Sequence, residues 1–331
     1  MQLEVERRGL LADNQLGTVR RVQGAKEQAM LYLSLNKEYG HLLKSTWIDV
    51  KNAFDSIDHK YLVECIPKLG FPKWIPCFVK EITSKWSLDV RAGPEKIVNK
   101  RVNKGILQGD SLSPLLFVLC IDPLSRRLNE RYPKVSIHAE EISHATNHLL
   151  FIDDLKLLAT NSMVMGNIVK ETESFFKAIG LEINRKKSAT NDSQCENTAT
   201  LLDGTGVYKY LGIIEDHSSN IMRESFEKVR RELLARVNRL CESNFNSKSL
   251  FKAINEHTIS LVNYHIGLQH LKPADFLKLD HEIRQTLIKY KVHLKPGCKE
   301  RLYLPRTEMG RGLHSVEMKS EYMLLQLLDT L

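Results

Sequence analysis

The chain has 331 residues, of which 42% are hydrophobic and 27% charged, a composition typical of a globular protein with more than one core. No apolar run reaches membrane-spanning length and no secretory signal precedes the first predicted element, so we expect no membrane partner. The six cysteines are scattered without a C-x-x-C pair. This pattern argues against a structural zinc site or a disulfide framework and suits a reducing, intracellular compartment.

The formal net charge of +8 is concentrated in one region. Residues 223–311 contain 18 Lys and Arg against 10 Asp and Glu, an excess that matches that of the whole chain. A localised basic excess favours a polyanionic partner, and solubility alone accounts for such a charge equally well.

Hydrophobic periodicity and turn residues predict the secondary structure. The predicted elements are, in chain order, a helical region (1–45), a strand (46–51), a helix capped by Asp58 (58–69), a hairpin (86–103), a helix (115–131), a polar connection (132–147), a helix (164–179) and a strand (208–213). From residue 222 the apolar residues recur at spacings of three and four, which predicts helices. We therefore expect two domains, residues 1–218 and 219–331. Lys228, Arg231 and Arg239 form the predicted basic face of the first helix in the second domain.

Two adjacent carboxylates, Asp153 and Asp154, lie between short apolar runs that predict a strand, a tight turn and a second strand. Paired carboxylates at a hairpin tip repel each other, and a divalent cation would remove that repulsion. Asp49, which follows an earlier predicted strand, supplies a third carboxylate. Three carboxylates at the ends of neighbouring strands can hold two Mg²⁺ ions, the arrangement used for two-metal phosphoryl transfer.

Five motifs follow one another along the chain. They are Asp49-x-x-x-Ala53-Phe54-Asp55, residues 105–114 (Gly-Ile-Leu-Gln-Gly-Asp-Ser-Leu-Ser-Pro), 151–154 (Phe-Ile-Asp-Asp), 180–188 (Gly-Leu-Glu-Ile-Asn-Arg-Lys-Lys-Ser) and 208–212 (Tyr-Lys-Tyr-Leu-Gly). In order and spacing they resemble the palm motifs of reverse transcriptases. The resemblance is closest to non-LTR, LINE-type retrotransposons of the lineages with a restriction-like endonuclease. Residues 14–28, with Asn14, Gln15 and Gln28, and residues 301–313 are also similar to that lineage.

The resemblance implies an α+β, right-hand polymerase fold. Partial fingers would comprise residues 1–45 and 60–105, the palm would be built on an antiparallel sheet, and a helical thumb would begin near residue 219. The family's upstream finger segment and its downstream Cys/His knuckle and endonuclease have no counterpart in this sequence. We therefore expect a chain that is truncated at both ends relative to the family.

The resemblance also assigns catalytic roles. Asp49, Asp153 and Asp154 would be catalytic and would bind two Mg²⁺ ions, for which Mn²⁺ is a possible substitute. Lys187 would lie near the departing pyrophosphate, where an amine can stabilise or protonate the leaving group. The adjacent Lys186 is an open alternative, because the assignment depends on register.

Other residues would bind nucleotide, template or primer. Phe54 would lie beneath the nucleotide sugar and exclude a 2′-hydroxyl, and Gln108 and Gly109 would form a loop beneath the template and the incoming base. Tyr210 and Gly212 belong to a segment that resembles the primer-grip hairpin. A basic pair, Arg20 and Arg21, matches basic finger residues near the template or nucleotide, and plain surface charge is an equally open interpretation.

The function implied by the resemblance is RNA-directed DNA polymerase activity in retrotransposon replication. The partners would be an RNA template, a DNA primer and dNTPs, and the location would be intracellular, in the nucleus. Two alternatives stay open on sequence alone. One is a catalytically silent, eroded or repurposed retroelement fragment that binds nucleic acid, and the other is a maturase-type polymerase of a mobile intron.

Overall fold

Residues 1–20, 24–139, 142–204, 206–218, 221–243, 245–268 and 271–328 are described in the computed structural model. The chain divides into two units. The first unit comprises Met1–Leu211 and Glu215–Asn220, and the second comprises Gly212–Ile214 and Ile221–Leu331.

Helices and strands alternate irregularly through the first unit, as in an α+β protein. Its helices are α1 (Gln2–Arg7), α2 (Gly24–Tyr39), α3 (Ala53–Ser56), α4 (His59–Lys68), α5 (Trp74–Lys85), α6 (Ser113–Arg131) and α7 (Ser162–Ala178). The strands, of which the last crosses the boundary between the units, are β1 (Lys44–Ile48), β2 (Ser87–Ala92), β3 (Glu95–Arg101), β4 (Val135–Ala139), β5 (Ile142–Thr146), β6 (His148–Phe151), β7 (Asp154–Ala159), β8 (Ala189–Thr190), β9 (Thr200–Leu201), β10 (Val207–Tyr210) and β11 (Ile213–Asp216).

A five-stranded sheet with the order β6-β7-β1-β8-β9 forms the centre of the first unit. The pairs from β6 to β8 are antiparallel, and β8 pairs with β9 in parallel. The remaining strands form three two-stranded sheets, β2-β3, β4-β5 and β10-β11.

Alternation along β7 explains how the sheet is buried on both faces. Leu155 and Leu157 belong to the main core with residues of α4, α6 and α7, whereas Leu158 packs on the other face with residues of α2. Because successive side chains of a strand point to opposite faces, Asp154 and Lys156 share the face of Leu158.

The second unit is mainly helical. Apolar residues from each of its helices, α8 to α12, form its core. Its helices are α8 (Glu224–Glu242), α9 (Ser247–His257), α10 (Pro273–Lys289), α11 (Glu300–Tyr303) and α12 (Val316–Leu328). In α8 the buried positions Phe226, Leu233 and Val237 lie along one side, as expected of an amphipathic helix.

Several predicted elements are confirmed. Asp58 caps α4 by accepting a hydrogen bond from the main-chain N–H of Lys60, and the hairpins β2-β3 and β6-β7 form where turn residues predicted them. Three predictions were wrong. Residues 8–20 are not helical, the connection 132–147 contains the hairpin β4-β5, and residues 208–213 are not one strand but parts of β10 and β11. Within the described ranges, no helix is both long and apolar enough to cross a membrane.

Candidate active site

The two adjacent aspartates lie at the tip of the β6-β7 hairpin. Phe151 pairs with Asp154, so Ile152 and Asp153 are the two central residues of the turn. Ile152 has a φ of +59°. A β-branched residue in this left-handed region is strained, because two-residue turns of this kind favour glycine at the first central position. Isoleucine at position 152 therefore disfavours the conformation of the turn that carries Asp153.

Strand register brings Asp49 to the same place. Trp47 pairs with Lys156 and Ile48 with Leu155, and continuing this antiparallel register by one residue sets Asp49 opposite Asp154. The main-chain N–H of Asp49 donates to the buried Ser188 Oγ at 3.0 Å.

The segment from residue 182 to residue 188 continues the sheet beside Asp49. Val50 forms an antiparallel bridge with Ile183, and the N–H of Asn184 donates to the carbonyl of Asp49 at 2.8 Å. This pairing, together with the contact from Ser188, fixes the main chain of Asp49 on both sides. The fourth predicted motif therefore lies against the first.

The electrostatic environment of the aspartates is dominated by burial and by the other carboxylates. Burial, then Asp153 and then Asp49 raise the pKa of Asp154 to about 6. Burial and Asp49 also raise the pKa of Asp153, while a main-chain hydrogen bond opposes the rise. Because Asp49 destabilises the charged forms of Asp153 and Asp154, and Asp153 that of Asp154, a bound cation would be favoured here.

The donor set suits Mg²⁺ in part. Among the residues that the structure describes, no group of three or more His, Cys, Asp or Glu side chains is arranged to hold a metal ion, so the three aspartates do not form a closed cage. Mg²⁺ in phosphoryl-transfer sites is commonly held by one or two carboxylates, with substrate phosphates and water filling the other positions. Half-buried carboxylates that repel one another provide such oxygen ligands.

Phe54 lies in α3, directly after the strand end that carries Asp49. Its ring stacks on Phe117 of α6 with centroids 4.8 Å apart, and it is half-buried. This packing is compatible with the predicted sugar contact, because Phe117 covers one face of the Phe54 ring while part of the ring stays exposed. Gln108 and Gly109 are exposed in the turn before α6, where Gly109 has a φ of +92°.

The two predicted cationic groups have different surroundings. Lys187 is exposed and is adjacent in sequence to Ser188, which contacts Asp49, and Lys186 is exposed as well. Arg20 forms an ion pair with Glu6, with Nη2 and Oε2 2.8 Å apart. Its guanidinium is therefore engaged within the first unit, and Arg21 lies outside the described residues.

The predicted primer-grip segment is a tight hairpin. Leu211 and Gly212 connect β10 to β11 and have φ values of +46° and +84°, as a type I′ turn requires. Tyr210 is buried in a cluster with Trp47 and Ala189, so its side chain is structural.

The sequence placed Tyr208 in the segment that resembles the primer grip but gave its side chain no role. In the structure its ring lies 5.5 Å from that of Trp47. Burial raises the pKa of the Tyr208 phenol, and the charges of Asp49, Asp154 and Glu215 add to the rise. The one sequence feature that could have drawn attention to this side chain is its place in the fifth motif, two residues before Tyr210.

A carboxylate pair on a hairpin tip, a third aspartate on the adjoining strand and helices packed behind the sheet define the palm of a right-hand polymerase. The chain resembles the structure of apo telomerase from Candida tropicalis, with a TM-score of 0.50 and 13% identity. The match covers 87% of this chain and 53% of that one, and identity this low establishes the fold alone.

Residues 10–214 match the family model described as reverse transcriptase (RNA-dependent DNA polymerase), and the chain belongs to that family. It is 28% identical over 176 residues to the Pol polyprotein of the type-1 retrotransposable element R2 of Popillia japonica. It is 30% identical over 166 residues to that of the type-2 element R2DM of Drosophila melanogaster. The predicted membership of a non-LTR retrotransposon lineage is thus confirmed.

The chain spans a small part of these relatives. The matches cover 51% and 49% of this chain but 24% and 15% of the two polyproteins. The match to R2 polyproteins favours the retrotransposon reading over an intron maturase, and it does not favour an eroded, silent fragment.

Proposed function

We propose that the chain is an RNA-directed DNA polymerase that extends a DNA primer on an RNA template with dNTPs, in the replication of a retrotransposon. The observation that carries this proposal is the register of β1 and β7, which sets Asp49 opposite Asp154 beside the Asp153 turn. The proposed location is the nucleus, where the integration of such an element requires access to DNA.

In the proposed reaction Asp49, Asp153 and Asp154 provide the carboxylate oxygens for two Mg²⁺ ions, or for Mn²⁺ in their place. When bound, the ions would lower the pKa of the primer 3′-hydroxyl and stabilise charge on the α-phosphate. Lys187, or Lys186 in the alternative register, would stabilise the departing pyrophosphate.

The remaining residues orient the reactants. Phe54, supported by Phe117, would lie beneath the sugar and select dNTPs by excluding a 2′-hydroxyl. The turn at Gln108 and Gly109 would approach the template and the incoming base. The main chain at Tyr210 and Gly212 would hold the primer end. Arg20 would contact the template or nucleotide only after leaving Glu6.

The charge distribution in the second unit bears on where nucleic acid would bind. Two of the three cations on the predicted basic face of α8 are paired with glutamates of the same helix. Lys228 pairs with Glu224 at 3.0 Å, and Arg239 pairs with Glu232 at 3.2 Å. Arg231 contacts the main-chain carbonyl of Glu227. A helix that carries its own counterions has little net attraction for phosphate.

A groove between α9 and the loop 306–314 has a more favourable charge. This groove, of about 300 Å³, is lined by the basic side chains of Lys248, Lys252, Arg306 and Arg311 and by His314, whose pKa is lowered by burial. Glu256 is the one acidic lining residue, and it pairs with Lys252 at 3.8 Å. Arg311 donates to Ser247 Oγ and Arg306 to the carbonyl of Arg311, so their contacts leave the positive charge uncompensated. Guanidinium groups suit phosphodiesters because they donate in a planar fork. The groove is the part of the second unit that we expect to contact the backbone of the duplex.

Primer extension on an RNA template tests the proposal, with Asp153→Asn as the control. Extension by the wild type in Mg²⁺ or Mn²⁺ and none by the variant would support it. The variant should retain binding to an RNA–DNA hybrid, since a phosphate-binding surface outside the turn is unchanged. A wild type that binds the hybrid but never extends the primer would contradict polymerase function and support the silent-fragment alternative.

A further inference from the structure

Residues 14–17 lie beside β6, the first strand of the hairpin that carries Asp153 and Asp154. The N–H of Leu150 donates to the carbonyl of Asn14 at 3.0 Å, and the N–H of Leu16 donates to the carbonyl of Leu150 at 3.2 Å. Gln15 and Leu150 thereby form a parallel bridge. An extended segment from the start of the chain covers the outer edge of the catalytic hairpin.

The side chain of Gln15 reaches past this bridge to the turn itself. Its Oε1 accepts hydrogen bonds from the main-chain N–H groups of Ile152 at 3.0 Å and Gly17 at 2.9 Å. Its Nε2 donates to the carbonyl of Ile152 at 3.4 Å. Gln15 is 1% exposed, so both ends of the amide are used inside the protein. Gln15 therefore forms hydrogen bonds with both the N–H and the carbonyl of Ile152, the residue in the strained conformation.

Gly17 permits this close approach. A Cβ atom built on Gly17 would lie 2.6 Å from the main-chain nitrogen of Ile152 and 2.6 Å from its Cγ1. Such distances are far inside van der Waals contact, so any side chain at residue 17 would push the segment away from the turn. The need for glycine here comes from the neighbouring chain, because Gly17 has no positive φ.

The segment is itself anchored to the protein. Asn14 Nδ2 donates to the carbonyl of His148 at 3.1 Å and to Thr146 Oγ1 at 2.8 Å. Gln28, on α2 and fully buried, donates to the carbonyls of Asn14 and Leu150. The contacts extend from the start of β6 to its turn.

We propose that Gln15 and Gly17 are positioning residues that hold the Ile152–Asp153 turn in its strained form and so set the place of the Asp153 carboxylate. Neither residue supplies a ligand or a proton. The turn needs such support because isoleucine opposes a positive φ, and a strained conformation persists only where its surroundings over-determine it. The inference deepens the proposed function and rests on it for its catalytic consequence.

Hydrogen–deuterium exchange tests the structural part without any need for activity. Gln15→Leu removes the acceptor for the N–H of Ile152, and Gly17→Ala forces the segment away. Each should raise amide exchange in peptides covering residues 149–156 by about fivefold, the factor for one lost hydrogen bond. Unchanged exchange in both variants would overturn the proposal.

Matched controls are available in the same unit. The hydroxyl of Tyr39 accepts the N–H of Ser136 and donates to its carbonyl, both at 3.0 Å, which repeats the bonding of Gln15 to Ile152. Tyr39→Phe should therefore loosen β4 but leave residues 149–156 unchanged. At Gly166 in α7 an added Cβ would meet no atom closer than 3.5 Å, so Gly166→Ala should leave exchange at the turn unaltered. If the controls raise exchange at residues 149–156 as much as Gln15→Leu does, the effect is general loosening and the proposal fails.

Polymerisation kinetics test the catalytic part. A displaced carboxylate should lower kcat by about 10- to 100-fold in Gln15→Leu and Gly17→Ala, with the KM for dNTP and the fraction of active sites little changed. A purely structural role would instead lower the active fraction at unchanged kcat, which would overturn the proposal. If the wild type itself does not polymerise, the proposed function fails while the exchange comparison still decides whether the turn is held by this segment.

Discussion

The ammonium nitrogen of Lys156 lies 2.7 Å from Glu215 Oε2, and their side chains are 0% and 3% exposed. Trp47 Nε1 donates to the same carboxylate oxygen at 3.0 Å, and the Lys156 nitrogen lies 2.7 Å from the centroid of the Tyr32 ring. Burial lowers the pKa of Lys156 to about 7, against the opposing effect of Glu215. Lys156 is two residues after Asp154 on the same face of β7, so this buried pair lies beneath the candidate active site.

We expect Lys156→Met to lower the free energy of unfolding by about 3–5 kcal/mol, because it leaves Glu215 buried without its counterion. Urea denaturation at neutral pH measures this. In the double variant Lys156→Met with Glu215→Leu, more than about 1 kcal/mol should be regained, since replacing both charges removes the desolvation cost.

The exposed pair Lys85 and Glu81 is the matched control. Their side chains are 72% and 63% exposed, so Lys85→Met should leave the urea midpoint unchanged. A Lys156→Met protein as stable as the wild type would show that the buried pair does not support the sheet.

His148 makes the stability of the protein depend on pH. Its ring is fully buried, with Nε2 2.6 Å from Ser125 Oγ and Nδ1 2.7 Å from Asn147 Oδ1, and burial lowers its pKa to about 3. The unfolded chain takes up a proton near pH 6.5 whereas the folded chain does not. This contribution is therefore fully present above pH 6.5 and is lost as the pH falls from 6.5 toward 3, by about 1.4 kcal/mol per pH unit.

Urea unfolding at pH 7.5, 6.5 and 5.5 measures the slope, with His148→Gln as the comparison. The variant should have a flatter profile between pH 6.5 and 5.5, whatever its absolute stability. Parallel profiles for the two proteins would mean that His148 is not the titrating group.

Mg²⁺ should stabilise the folded protein through the three aspartates. At a concentration a hundredfold above its dissociation constant, a ligand of the folded state adds about 2.7 kcal/mol, and a thermal melt with and without EDTA would detect this. Asp154→Asn removes one of the repelling charges, so we expect the metal-free variant to melt above the metal-free wild type and to lose most of the Mg²⁺ effect. A full Mg²⁺ shift in this variant would place the ion elsewhere.

Hybrid binding should depend on the groove of the second unit and not on α8. Lys248→Glu with Arg311→Glu should weaken binding of an RNA–DNA duplex and reduce the slope of log K against log salt by about two for two lost phosphate contacts. The control is Lys228→Ala with Arg239→Ala on α8, where both cations are already paired with glutamates. If the α8 variant weakens binding as much as the groove variant does, the predicted basic face of α8 contacts the duplex and the groove is not the specific contact.

Local patterns predicted some of the elements that carry the candidate site. The alternation around Asp153 and Asp154 was enough for the hairpin, and Asp58 was recognised as a helix cap, because both depend on residues adjacent in the chain. The order of the five motifs was enough for the family. The segment 8–20 was misread as helix, since Asn14 and Leu16 form main-chain hydrogen bonds with Leu150 of β6 and the N–H of Ala12 donates to Asp122.

By itself the sequence determined which chemical groups are available: three carboxylates near strand ends, an aromatic residue after the first of them, and an excess of basic residues after residue 222. Only the tertiary structure decided which of these groups are engaged. It paired Arg20 with Glu6 and buried Lys156 against Glu215. It also brought Gln15 to the turn at Ile152, 137 residues away. Periodicity reports how a segment satisfies its own backbone, whereas the partner of a charge or an amide is chosen by whichever distant group the fold brings within about 3 Å.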